Sequence, residues 1–185
     1  MTKANIIILI IAILVVLVLL CIILYKTYGE KLDNIVNKLK DSEKDAIDKL
    51  NNKKEILLKL IDFTESKYKI ESKVFEEVKK LNIEDLSSFN NEKTLNKAYK
   101  EVVQIREDHK KVRELKAYKE LFIEYDKNEI NIISLRTFHN KYTLIYNNML
   151  KKFPYNIISK FKKYKLNSLI EGKELENNYN NDLEV

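Results

Sequence analysis

The sequence predicts an all-α protein in which an N-terminal transmembrane helix precedes an elongated antiparallel helical bundle of three main helices. Three observations carry this expectation. A run of 19 apolar residues, Ile6 to Leu24, lies near the N-terminus. Only 2 Gly and 1 Pro occur in 185 residues, too few turn formers for a fold of many short strands. Over residues 132–153 apolar and aromatic side chains recur at an uninterrupted helical spacing. The chain divides accordingly into residues 1–29 (short N-terminus and anchor), 30–170 (helical bundle) and 171–185 (an acidic tail with the composition of a disordered segment).

As a helix, Ile6–Leu24 rises about 28 Å, close to the ~30 Å hydrocarbon core of a bilayer. Its Leu, Ile and Val content favours insertion by around 6–10 kcal/mol. Lys3 and Asn5 bound the run on one side and Tyr25, Lys26 and Tyr28 on the other, as interfacial rings and a snorkelling amine should. The rival is a cleaved signal peptide, with Thr27 and Gly29 as a small-x-small site. The apolar stretch exceeds the usual 7–15 residues of such a leader, which favours a retained, single-pass anchor. Lys26, Lys31, Lys38, Lys40 and Lys44 follow the run and only Lys3 precedes it. The positive-inside tendency therefore places the bulk of the protein in the cytoplasm.

Lys31 to Leu81 contains no Gly or Pro. Its apolar residues (Leu32, Ile35, Val36, Leu39, Ala46, Leu50, Leu57, Leu60, Ile61, Val74, Val78, Leu81) read as one long amphipathic helix continuous with the anchor, with room for a kink at Asn51–Asn52. Asn82 to Asn91 supplies turn and cap chemistry through Asp85, Ser87, Ser88 and Asn90. A second helix then carries Leu95, Tyr99, Val102, His109 and Val112 on one face, and the next turn falls within 109–117. Ile132, Leu135, His139, Tyr142, Tyr146, Met149 and Phe153 form a heptad seam of the coiled-coil type, with Tyr118, Phe122, Tyr125 and Glu129 nearly in phase behind it. The seam runs through Asp126–Asn131, so the helix is expected to continue across that polar stretch. Pro154 ends it, because proline lacks an amide donor and disfavours helical geometry in the residue before it.

Around the seam the chain resembles the LemA family of bacterial membrane proteins. The residues are Arg136-x-x-His139-Asn140, Tyr146-Asn147 one heptad later, and Phe153-Pro154-x-Asn156. The family usually has Tyr-Asn at both heptad steps, so His139 departs from it. Val74-Phe75-Glu76-Glu77-Val78 and Lys53-Lys54-Glu55-Ile56-Leu57 fall on two further family stretches, although Leu58-Lys59 stands where Pro-Asn is typical. The resemblance implies a membrane-anchored helical bundle and no particular reaction.

The chemistry-bearing residues point the same way. Cys21 lies alone in the apolar run, so neither a disulfide nor a thiolate zinc site can form within one chain. His139 and His109 lack a carboxylate three residues earlier on the same face, and Arg136 stands where a di-iron bundle needs Glu. No metal, cofactor or catalytic residue is expected. Glu76 and Glu77 are adjacent in a helix and diverge by about 100°, so they are not an acid–base pair. Phosphate loops, nucleophile elbows and zinc-protease patterns do not occur. Arg136 is expected to pair with a carboxylate on a neighbouring helix and His139 to pack in the core. Asn140 and Asn147 either receive a partner helix or fix the register of the seam.

The formal net charge of +6 is spread among interspersed charges of both signs, so no nucleic-acid partner is expected. The basic residues concentrate only at 151–165, where Lys151, Lys152, Lys160, Lys162, Lys163 and Lys165 accompany four aromatics and no acid. Ile157, Ile158, Phe161 and Tyr164 can share one apolar face there. The segment could bind an anionic leaflet, each lysine contributing roughly 1 kcal/mol, or simply close the end of the bundle. The expected function is a membrane-anchored, non-enzymatic scaffold. Its partners are the bilayer and a second membrane-associated protein, and a homo-oligomer is compatible with it.

Overall fold

The computed structural model describes residues 3–84, 91–109 and 115–170, and within them the fold is all-helical. Among the described residues five helices follow one another: α1 (Lys3–Tyr68), α2 (Lys73–Lys80), α3 (Glu92–Asp108), α4 (Lys116–Lys151) and α5 (Tyr155–Phe161). The expected turn residues Asp85 to Asn90, Val112 and the tail from Glu171 lie outside the described residues.

Helix α1 runs unbroken from the apolar segment through Asn51–Asn52, where Asn51 Nδ2 donates to the carbonyl of Ile83 at 3.1 Å. Every residue from Ile6 to Tyr25 is exposed. This is an apolar cylinder far larger than the patches a monomer leaves in water, and it is long and apolar enough to cross a membrane.

The expected continuation of this helix to Leu81 does not hold. Helix α1 stops at Tyr68 because Lys69 turns left-handed (φ 54°) and its amide bonds back to the Glu65 carbonyl at 2.8 Å, a C-terminal closure usually made by glycine. Ser72 then caps α2, its Oγ accepting from the Val74 amide at 3.2 Å. A second correction concerns His109. Helix α3 ends at Asp108, and His109 is its C-cap, with its ring nitrogen 2.9 Å from the Ile105 carbonyl and its ring 4.1 Å from that of Tyr68.

Helix α4 continues through Asp126–Asn131 as the seam requires. The polar run is tolerated because Asn128 turns inward and donates to the Lys49 carbonyl at 2.7 Å. The seam is buried at Ile132, His139 and Tyr146 and half-buried at Leu135, Tyr142 and Met149. Its last expected member, Phe153, is 76 % exposed. Helix α4 ends at Lys151, two residues before it, so the heptad phase no longer governs where that side chain points.

The chain forms two compact units. The first combines Met1–Leu39 with Lys141–Ser168 and has a core of Leu32, Leu39, Tyr146 and Ile158, flanked by Tyr28, Ile35, Tyr142 and Tyr155. The second comprises Lys40–Asn140 and the stretch from Leu169. Its larger core includes Leu50, Leu57, Ile61, Phe75, Leu95, Val102, Tyr118 and Ile132, with the rings of Tyr99 and Tyr125 stacked at 3.9 Å.

Candidate functional site

In the second unit, the residues of the 136–140 motif are spent on interactions within the chain. Arg136 is 3 % exposed, and its Nη2 donates to Glu92 Oε2 at 2.6 Å. Glu92 Oε1 accepts from Lys53 Nζ at 3.2 Å. Lys53 is fully buried; it also donates to Asn96 at 2.9 Å, pairs with Glu129 and lies 5.5 Å from the Tyr125 ring centre. Two cations and two carboxylates thus balance in the unit, with Asn96 and the Tyr125 ring as further contacts of the fully buried Lys53; pairing is the condition under which buried charges are tolerated. His139 Nδ1 lies 3.2 Å from Ser42 Oγ, and Asn140 clasps one residue of the backbone, its Nδ2 donating to the Ile170 carbonyl at 2.9 Å and its Oδ1 accepting from the Ile170 amide at 2.8 Å.

Arg136 therefore meets the carboxylate that its sequence context led one to expect. Lys53, Glu92 and Glu129 as a set were not foreseen. A signal existed for Lys53, which stands between Leu50 and Leu57 in the buried phase of α1. Tyr125 is pushed above the ordinary phenol range, first by burial and then by the Glu129 charge. Tyr99 is raised by burial and by its 2.8 Å hydrogen bond to Asp126. Neither phenol is poised to lose a proton near neutrality. Among the described residues no group of three His, Cys, Asp or Glu is placed to hold a metal ion.

The other candidate residues fall in the first unit. Tyr146 is 2 % exposed and its hydroxyl donates to the Lys165 carbonyl at 3.0 Å. Asn147 repeats the clasp on a second residue, bonding the Asn167 carbonyl at 2.8 Å and amide at 3.0 Å. Both asparagines thus hold main chain of their own protein, by contacts that read no side chain. Pro154 is the N-cap of α5, and the Phe153–Pro154 peptide is cis. Asn156 is half-buried, with its carbonyl accepting from Ser159 Oγ at 3.1 Å.

The basic segment divides by environment. Lys151, Lys152, Lys160, Lys163 and Lys165 are exposed. Lys162 instead turns back to α1, where its ammonium pairs with Asp33 at 2.5 Å and its end packs over Gly29. The Tyr164 hydroxyl donates to the other Asp33 oxygen. These bonds, that of Lys162 first and then that of Tyr164, hold the Asp33 carboxyl below its usual range. Burial, and next the Asp33 bond, push Tyr164 up to about 12.

The expected shared apolar face is also divided. Ile158 is 4 % exposed in the core and Tyr164 is half-buried, whereas Ile157 is 47 % and Phe161 74 % exposed. The T-shaped contact of Tyr28 and Tyr155, with ring centres 5.1 Å apart, fixes α5 beside the stretch of α1 just past the apolar run.

Comparison of the chain with protein-family models, with curated proteins and with solved structures finds no match.

Proposed function

We propose that this protein is a membrane-tethered helical scaffold that works through its helix faces, without catalysis and without a cofactor. In this reading Ile6–Leu24 is a retained single-pass anchor and the larger part of the chain is cytoplasmic, on the side favoured by Lys26, Lys31, Lys38, Lys40 and Lys44. The long helices form an elongated antiparallel bundle, a reading supported by the core to which α1, α3 and α4 all contribute. The likeness of 136–156 to the LemA family agrees with this role.

One observation carries the proposal. Arg136, His139, Asn140 and Asn147 are engaged by the chain's own side chains and backbone, whereas the apolar run is wholly exposed. Polar residues consumed by internal bonds serve architecture, and an exposed apolar cylinder serves attachment. A second reading, contact of residues 151–165 with an anionic surface, is favoured by the exposure of five of the six lysines.

Crosslinking in intact cells followed by mass spectrometry tests the scaffold role. The expected result is a reproducible set of crosslinks from the exposed lysines to one membrane-associated protein or to a second copy of this chain. Crosslinks no richer than those of an unrelated single-pass protein at the same level would overturn it.

A further inference from the structure

We propose that α5 is a leaflet-contacting element, in which Ile157 and Phe161, with Phe153 just ahead of the helix, insert into the interfacial layer of the leaflet from which α1 emerges. The inference deepens the membrane reading and rests on α1 being an anchor.

These three side chains follow one another at intervals of four residues and are 76 %, 47 % and 74 % exposed. Ile157 and Phe161 lie one turn apart on the same side of α5. Ile158, on another side, is 4 % exposed and packs with Leu32, Leu39 and Tyr146. The helix is thus two-faced: one side is consumed by the core of the first unit, and the other presents large apolar groups outward. An aromatic left three-quarters exposed gains little from folding in water and keeps most of its apolar area for a contact outside the unit.

The position of α5 says what that is. Tyr28 lies four residues beyond Leu24, a rise of about 6 Å along α1. The headgroup layer is about 5–8 Å thick on each side of the hydrocarbon core. Tyr155 meets Tyr28 edge to face, and Lys162 packs over Gly29 one residue further on. A helix held at that level lies at headgroup depth whenever α1 spans the bilayer, so lipid is in reach without any separate encounter. Exposed Lys160 and Lys163 flank Phe161 on a surface with no acidic neighbour in 151–165, and their stems can run along acyl chains while their ammonium groups meet lipid phosphates. Lys162 is excluded from that role, because Asp33 holds it against α1.

The full chain in nanodiscs of mixed zwitterionic and anionic lipid provides the test. Cys21, the sole cysteine, carries a polarity-sensitive fluorophore in one sample. The variants Cys21→Ser/Phe161→Cys and Cys21→Ser/Ile123→Cys carry it in two others, Ile123 being 67 % exposed in the second unit. The expected result is that lipids with a nitroxide on the upper acyl chain quench the label at 21, which lies about 4–5 Å inside the Leu24 end of the run, while lipids with a headgroup nitroxide quench the label at 161. Aqueous iodide should quench only the label at 123. Equal iodide access at 161 and 123 would overturn the inference while leaving the anchor intact. So would a label at 161 shielded from both quenchers, which would put a protein or a second copy on the stripe. A label at 21 that escapes every lipid quencher would remove the anchor and the inference together.

Discussion

Arg136 on α4 and Glu92 on α3 meet at 2.6 Å with both side chains almost fully withdrawn from water. Because Glu92 also receives Lys53, one carboxylate serves two buried cations. Glu92→Ala should therefore destabilise the protein by about 3–5 kcal/mol, the range for stranding a buried charge. Replacing Lys53, Glu92 and Arg136 together by apolar residues of similar volume should cost markedly less, because the one charge of the set that remains, Glu129, has a side chain 32 % exposed to water. Denaturant unfolding of the full chain in detergent, followed by far-UV circular dichroism, compares the two. An equal cost for the single and triple changes would mean that the pairing carries no net electrostatic weight.

Tyr146 and Phe153 occupy equivalent heptad positions in the sequence but different surroundings in the structure. Tyr146→Ala should cost about 3–5 kcal/mol, since it empties the core around Leu32, Leu39 and Ile158 and removes the bond to the Lys165 carbonyl. Phe153→Ala should change stability by less than about 0.5 kcal/mol, as expected of an exposed position. Melting curves of the two variants settle the point, and similar losses in both would contradict it.

His139→Tyr restores the ring that the family resemblance leads one to expect. The Ser42 contact and a site only 2 % exposed argue that it will not be neutral. Overpacking and the lost hydrogen bond should together cost about 1–3 kcal/mol. A melting temperature at or above that of the parent chain would show that the site already accommodates the larger ring.

The Asp33–Lys162–Tyr164 cluster predicts a pH window. Asp33 has a lowered folded pKa, so its contribution is present above the ordinary value of about 4 and is lost as pH falls through the folded one. Tyr164 has a raised pKa, so its contribution is complete below about 10 and is lost as pH rises towards about 12. Asp33→Asn should flatten the acid limb of the melting-temperature profile, and Tyr164→Phe the alkaline limb. Profiles unchanged in shape would mean that the cluster is not formed in solution.

Much of the secondary structure was legible because it rests on local periodicity. The seam carried α4 across Asp126–Asn131 against the turn-like composition there, and Pro154 marked its end. The stop at Tyr68 was not legible, because Lys69 adopts the left-handed geometry for which glycine is the usual signal. Phe153 was misplaced for a related reason, since a heptad phase holds only while the helix does. The pairing of Asp33 with Lys162 and Tyr164 joins residues more than 120 positions apart in the chain and leaves no local pattern to read. Lys53 and Glu92 were readable in hindsight as charges standing in apolar phase, but which charge meets which is decided by packing.

The central claim is that Ile6–Leu24 stays in the protein and holds it in the bilayer. Intact-mass measurement of the protein extracted by detergent from carbonate-washed membranes tests this most directly. The account predicts a mass that includes the whole apolar run, in material that carbonate does not release. A mature chain beginning near Glu30, or its release by carbonate, would contradict the account.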